Sequence, residues 1–464
     1  MKNYKLLALF ILLNTPFLLL AQRGYSSASM GMSKQKSAQM IIPQPDEIVV
    51  EEYFNYHTHN LPLPEGNLAV GLDVRWGNNQ VSPTSNEAVL QIGLTTGQKE
   101  AYLNSPPVNI SLVIDKSGSM AAEGRLVKTK QAMAELVKHL RPKDFISIVQ
   151  FDHVARVVLP TQNVTDLAKI QQAISSIQLG GSTNLHDGIL LGFQEAIKND
   201  RNNVSSRVIV LTDAIANTGV IDPEKMIQNS QGYSAENSID FAMIGVGVDF
   251  NYELSRQLTQ NGKNQIHFIN DPNDIKKIFV NEVEALLYPA AKMPTLEIEF
   301  GENLEVAQFY GYNPTIDDRT IRLNLNNINA GLTQVILTKF NVKGGKKNGT
   351  KVKVQLNYFD IQKNKMVSQK VKTNLKIDNS WTPHNMLQDR DVEKNYRIAQ
   401  MAQDLKIMSE FYQKNQPFAA KGHLSLAIDS IKKEYPNPTD VDFLRMLDIL
   451  GNYMGRLNGL LAKK

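Results

Sequence analysis

Asp115-Lys116-Ser117-Gly118-Ser119 places one carboxylate and two hydroxyls in a single short loop, directly behind the apolar run Val108-Asn109-Ile110-Ser111-Leu112-Val113-Ile114. Oxygen donors at this spacing suit a hard cation such as Mg2+ or Ca2+. Two later segments supply further oxygens. Gly180-Gly181-Ser182-Thr183-Asn184-Leu185 opens a helical stretch, and the strand-like run Arg207 to Thr212 ends in Asp213. The spacing predicts an octahedral site in which Ser117, Ser119 and Thr183 contribute hydroxyls, Asp115 and Asp213 act largely through water, and one position stays open. A metal ringed by neutral hydroxyls keeps much of its charge and attracts an external carboxylate. Mg2+ is the expected ion, with Ca2+ or Mn2+ as alternatives.

The elements that must position this loop follow from the hydrophobic pattern. From 107 to 288, strand runs (Ile110 to Ile114, Phe145 to Phe151, Arg207 to Thr212, Phe241 to Val248) alternate with amphipathic stretches near 126–140, 167–177, 185–197 and 275–287. This alternation predicts a mainly parallel sheet covered on both faces, a class that binds ligands at the carboxyl ends of its strands. Phe145 to Phe151 is followed too closely by Ala155 to Leu159 for a helical crossover, so that pair should be antiparallel at a sheet edge.

Flanking regions differ. Residues 1–21 carry Lys2 and Lys5 before Leu6 to Leu13 and Phe17 to Leu20, and read as a signal peptide cleaved after Ala21. An uncleaved anchor is the alternative, because the apolar stretch approaches a span in length. Residues 22–45 lack apolar periodicity and predict a mobile leader. Residues 46–106 form an N-terminal β segment with strands at Leu68 to Trp76 and Ala88 to Leu94. Residues 289–380 predict an antiparallel β domain with strands at 295–300, 320–325, 333–342, 351–358 and 372–377, and a hairpin tip at Gly344 to Gly349. Two strands make no stable domain alone, so the early pair should join this β domain, with the α/β domain inserted between its halves. Residues 381–464 return to helical spacing, with Val392, Tyr396, Ala399, Ala402 and Leu405 on one face, and Thr439 or Asp440 placed to cap the last helix.

Composition narrows the function. The 464 residues are 42% hydrophobic, enough for two or three cored domains, and 50 Lys and Arg against 46 Asp and Glu give no nucleic-acid footprint. Cysteine is absent, which excludes disulfides, thiol catalysis and a lipidated cysteine. No Gly-x-Ser-x-Gly elbow, P-loop or His-Glu-x-x-His helix is present, and Gly245-Val246-Gly247 lacks the rest of a dinucleotide fingerprint. No catalytic residue is therefore expected. His57-Thr58-His59 could pair on a strand as zinc ligands but lacks a third ligand nearby, so surface or loop histidines are the default. Lys116 should be solvated, Asp152-His153 should be only a turn, and Asp187 beside His186 should complement a helix N-terminus.

Asp115-Lys116-Ser117-Gly118-Ser119 with Thr183 and Asp213 resembles the metal-ion-dependent adhesion site of von Willebrand factor type A domains, over about 107–288. The resemblance implies a doubly wound α/β fold, with Ser117, Ser119 and Thr183 as metal ligands and Asp115 and Asp213 as direct or water-mediated partners. Ala214 departs from the Gly that many relatives carry there, which should alter loop freedom more than ligation. The flanks, including Glu51-Glu52-Tyr53-Phe54-Asn55-Tyr56, resemble bacterial exported proteins with such a domain ahead of a C-terminal domain of unknown function. The implied role is capture of an Asp or Glu of a protein partner in adhesion or envelope assembly, in the periplasm or at the cell surface. The alternatives are a structural envelope component with a merely stabilising metal and, remotely, a metal-dependent hydrolase.

Overall fold

The structure is a computed structural model and describes residues 28–82, 88–97, 106–199, 204–237, 239–259, 265–269, 288–343, 350–378, 380 and 387–462. The expected signal peptide, the 275–287 helix and the 344–349 hairpin tip lie outside these residues.

Helices α1 (Ala28–Ala38) and α2 (Val50–Phe54) precede strands β1 (Val70–Trp76), β2 (Gln80–Val81) and β3 (Ala88–Thr96). The α/β region then runs β4 (Val108–Asp115), α3 (Arg125–Val137), β5 (Phe145–Phe151), β6 (Ala155–Asn163), α4 (Leu167–Ser176), α5 (Leu185–Ile197) and β7 (Ser205–Thr212). It continues with α6 (Pro223–Asn237), β8 (Asp240–Val246), α7 (Tyr252–Thr259) and β9 (Gln265–Ile269). Its six strands form one sheet in the order β6-β5-β4-β7-β8-β9, all neighbours parallel except β5 and β6. The short Phe145-to-Leu159 spacing did mark an antiparallel edge. Every residue of β4 is buried, as a central strand covered on both faces requires. Ile110, Leu112 and Ile114 pack with α3 and α4, while Val113 packs with α5 and α6 on the other face. Helices α6 and α7 and strand β9 were missed by pattern reading; α6 is mostly polar, with few apolar positions to betray it.

Strands β10 (Pro289–Phe300), β11 (Leu304–Phe309), β12 (Thr315–Asp317), β13 (Thr320–Asn324), β14 (Ile328–Asn329), β15 (Thr333–Val342), β16 (Lys351–Asp360), β17 (Lys365–Asn374) and β18 (Lys376–Ile377) follow. With β1 and β3, these strands build two antiparallel sheets, β1-β3-β15-β11 and β12-β13-β10-β16-β17, whose inner faces share one apolar core; β14 pairs with β10, and β18 pairs parallel with β2. Register pairs such as Ile92 with Ile336 bring β3, before the α/β domain, against β15, after it. The α/β domain is thus inserted in the β unit. Along β16, Val352, Val354, Leu356 and Tyr358 face the core with period two. Strand β17 starts seven residues before the expected 372 because its exposed face carries Ser368, Lys370 and Lys372, which hide the strand from an apolar reading and protect a sheet edge.

Helices α8 (Arg390–Gln413), α9 (Pro417–Glu434) and α10 (Val441–Leu461) complete the chain. Asp389 Oδ1 accepts from the Asp391 and Val392 amides, each at 3.0 Å, and Asp440 Oδ1 caps α10 through Asp442 and Phe443 at 2.9 and 3.1 Å.

Two expectations are corrected here. Residues 28–38 of the expected mobile leader form α1, wedged between the α/β domain and the helices: Ala28 and Met32 join the α/β core and Met30 the helical one. Its small Ser and Ala residues show no apolar period, yet allow close approach, with Ser29 N–H donating to Glu52 Oε2 at 2.6 Å and Tyr453 O–H to Ser33 O at 3.1 Å. Likewise the start of the expected β segment at 46–106 is helical at α2. His57 and His59 follow α2 in a loop rather than on a strand. His59 is buried, not at the surface, with Nε2 3.0 Å from Asn55 Oδ1.

Candidate metal centre

Parallel pairing sets Ile114 of β4 beside Leu211 of β7, so Asp115 and Thr212 lie next to one another at the carboxyl end of the sheet. Asp115 is wholly buried. Its Oδ1 accepts the Ser117 amide at 2.8 Å, and its Oδ2 accepts the Thr212 hydroxyl at 2.6 Å. Thr212 Oγ1 in turn accepts the Ala214 amide at 2.8 Å. Burial pushes the Asp115 carboxyl up to about 6, opposed by the Ser117 and Thr212 hydrogen bonds and reinforced by the nearby Asp213. Asp115 therefore anchors its loop from inside; Ser117 is itself buried and Ser119 half-buried beside it. Ser117 Oγ and Ser119 Oγ are 3.1 Å apart. Adjacent ligands of an octahedral Mg2+ sit about 2.9 Å apart for bonds of 2.0–2.1 Å. The pair fits one edge of such a shell.

The second loop joins the first through backbone bonds, Gly118 N–H to Gly181 O at 2.7 Å and Gly180 N–H to Lys116 O at 2.6 Å. Thr183 is then clamped by the third loop: its amide donates to Asn217 Oδ1 at 2.7 Å, and its carbonyl accepts the Asn217 and Thr218 amides at 3.1 Å each. The three segments singled out by sequence thus meet at one end of the sheet. Among the described residues, no group of three or more His, Asp or Glu side chains forms a metal cage. A cation here would depend on hydroxyls and on at most two carboxylates.

Several participants carried no sequence signal. Arg125, the first residue of α3, is 3% exposed and donates from Nη1 to Asp213 Oδ2 at 3.1 Å and from Nη2 to Asp249 Oδ2 at 2.7 Å. Asp213 Oδ1 accepts the Ile215 amide at 3.2 Å. The expected partner Asp213 is thus already neutralised from within, a role no linear spacing announces. Gly247, at φ +89°, makes room for the guanidinium, since a Cβ there would lie 2.6 Å from Arg125 Cζ. Ala214 sits at φ +56°, so the departure from Gly is borne as backbone strain beside Asp213.

Lys116 is not simply solvated, and Asp152 is more than a turn residue. Lys116 Nζ is paired with Asp152 Oδ2, and Asp152 O accepts the Asn184 amide at 2.7 Å. Burial alone would raise the Asp152 carboxyl, but hydrogen bonds from Lys116 and the Val154 amide outweigh it and hold it near about 2. His186 contacts Asp187 Oδ1 and Asn229 Nδ2 at 3.1 and 2.9 Å, and Asp187 lies in the first turn of α5, the dipole-complementing place expected of it.

Residues 109–281 match the family model of the von Willebrand factor type A domain. Uncharacterized protein YfbK of Escherichia coli (strain K12) is 26% identical over 268 residues, covering 56% of this chain and 46% of YfbK. Inter-alpha-trypsin inhibitor heavy chain H2 of Mus musculus is 28% identical over 198 residues, 40% of this chain and 20% of its own. The chain spans less than half the length of these curated relatives. A solved von Willebrand factor type A structure from Catenulispora acidiphila superposes with TM-score 0.54 at 16% identity, covering 79% of this chain and 87% of that one, which shows a shared fold.

Proposed function

Because residues 109–281 form a von Willebrand factor type A domain, a family that typically mediates protein–protein interaction or adhesion, we propose that this chain is an exported binding protein whose metal site captures an Asp or Glu of a protein partner. The observation that carries this reading is the Ser117–Ser119 hydroxyl pair, backed by a fully buried Asp115 and facing the Thr183 loop at the open end of the sheet. Ser117, Ser119 and Thr183 would hold Mg2+, with Asp115 and Asp213 behind. The ion would supply a positively charged position for an external carboxylate. Asp115 orients the loop, Asn217 positions Thr183, and Arg125 cancels the charge of Asp213, so the protein leaves much of the ion's charge uncompensated. No residue around the site is assigned as a general base, and no catalysis is proposed.

Export rests on the Lys2 and Lys5 residues ahead of the apolar stretch that ends near Leu20. Among the described residues no helix is long and apolar enough to cross a membrane.

One observation favours a second reading, a structural envelope component: the Arg125–Asp213 pair already satisfies a carboxylate that a metal would otherwise use. Calorimetric titration of the mature chain with Mg2+, beside Ser117→Ala, tests the metal site, and pull-down from envelope extract with both proteins separates capture from a merely stabilising metal. Saturable Mg2+ binding and partner retention both lost in the variant, with melting of the metal-free proteins unchanged, support capture. Absence of heat in the unaltered chain removes the metal mechanism.

A further inference from the structure

A cavity of about 560 Å3 lies where α2, α7, the β unit and α8 meet, distant in sequence from the metal loops. Its volume falls within the roughly 300–1,000 Å3 usual for small-ligand sites. Two acceptor oxygens on its wall are buried without a hydrogen-bond donor: Glu51 Oε2 and Gln334 Oε1. Gln334 is only 2% exposed, and its Nε2 is held by donation to Tyr312 Oη at 2.9 Å, which fixes the amide so that Oε1 is the free end. Glu52, beside Glu51, is satisfied internally by Ser29 N–H and by Tyr252 O–H at 3.1 Å. An occupant must therefore donate hydrogen bonds chiefly to Glu51 and Gln334.

The charges on the wall narrow its chemistry. Arg256 and Lys406 line the same cavity, and both act on the Glu51 carboxyl. Arg256 is oriented by Glu253, with Nε and Nη2 each 2.8 Å from a carboxylate oxygen. Lys406 makes no ion pair among the described residues. A purely cationic ligand would face these two side chains, and a purely anionic one would face the Glu52 carboxylate and bring no donor to Glu51 and Gln334; a molecule with both charges meets neither penalty. We propose that the cavity binds a small zwitterion, an amino acid or short peptide, with its ammonium on Glu51 and Gln334 and its carboxylate on Lys406 and Arg256.

Burial, with Glu52 adding to it, pushes the Glu51 carboxyl up to about 8, so at neutral pH the empty site holds a proton that an ammonium would displace. Binding should release that proton. The occupant would also tie together segments from every part of the chain, so it should raise the melting temperature by mass action.

The test is calorimetry on the full mature chain at neutral pH with alanine, trialanine, N-acetyl-trialanine and trialanine amide, each in two buffers of different ionisation enthalpy. Saturable binding of an uncapped compound, weakened roughly tenfold or more by either cap and accompanied by proton release, is the expected result. Alanine against trialanine distinguishes a free amino acid from a peptide. Glu51→Gln should weaken binding while leaving the melting temperature unchanged or higher, which a merely structural glutamate would not do. Gln334→Leu should weaken it as well, in protein shown by melting to be folded. Equal affinity for capped and uncapped peptides, or no heat from any of them, overturns the proposal.

Discussion

Arg125 Nη1 lies 3.1 Å from Asp213 Oδ2, so a guanidinium occupies one face of the very carboxylate that the sequence marks as a metal partner. Both side chains are buried, and the pair therefore couples the fold of the loop to the charge of the site. Arg125→Gln removes a cation close to the expected ion. Mg2+ affinity should rise by about tenfold, while stability falls by roughly 3 kcal/mol because Asp213 loses its buried partner. Calorimetry and thermal melting read the two effects separately; unchanged Mg2+ affinity would make Arg125 purely a support.

Gly247 should be coupled to that same arginine. Gly247→Ala introduces a side chain at φ +89° and a Cβ 2.6 Å from Arg125 Cζ. A loss of about 2–3 kcal/mol is expected. In Arg125→Ala the steric part disappears, so a double-mutant cycle on melting should give less than the sum of the two losses. Additive losses would place the cost in the backbone alone.

Asn55 behaves as an extra rung of the β unit. Its Nδ2 donates to Val335 O at 3.0 Å and its Oδ1 accepts the Val335 amide at 2.7 Å, with His59 on the same oxygen. Asn55→Ala leaves the Val335 amide buried and unpaired and its carbonyl with only the long 3.5 Å bond from Tyr312 Oη, a cost of roughly 2–3 kcal/mol in denaturant titration. Asn55→Asp keeps only the acceptor half and should fall short of the native protein as well.

The sign of the alkaline response follows from Glu51. Its folded carboxyl is raised from 4.5 to about 8 by burial first and by Glu52 second. The folded state thus holds a proton that the unfolded chain releases. The stabilising contribution is full below about 4.5 and is lost as pH rises through about 8. Glu51→Gln should flatten melting temperature between these limits and raise stability above them by roughly 1–2 kcal/mol, discounted for partial exposure. An unaltered pH profile in the variant would show that another group governs it.

His57 and His59 give the opposite sign. Burial pulls His57 down to about 4, with Lys394 adding and Asp442 and Asp440 opposing, and burial with His57, Lys394 and Arg75 pulls His59 well below its usual range. Their contribution is present above about 6.5 and is lost as pH falls through the folded values. Protection factors in α8, corrected for the intrinsic exchange rate, should fall between pH ~6 and ~4, and His59→Gln should blunt that fall if the buried imidazole is its source.

The convergence of the three candidate loops at one end of the sheet was legible because each sits at the end of a strand or the start of a helix. Asp115, Ser117 and Ser119 share one loop, and Thr183 and Asp213 each follow a recognisable strand or precede a helix, so the order of elements brought them together on paper. The alternation of strand and helix from 107 to 288 similarly dictated the parallel sheet, and the orphan strands at 70–76 and 88–96 required partners that only the later β region could supply. What the tertiary structure alone decided are the contacts between residues far apart in the chain. Arg125 reaches Asp213 across 88 positions, Asn55 reaches Val335 across 280, and α1 settles between two cores that no local period of its own forecasts. Hydrophobic periodicity records which face of an element is buried, not which buried charge meets which; that is fixed only when the elements pack.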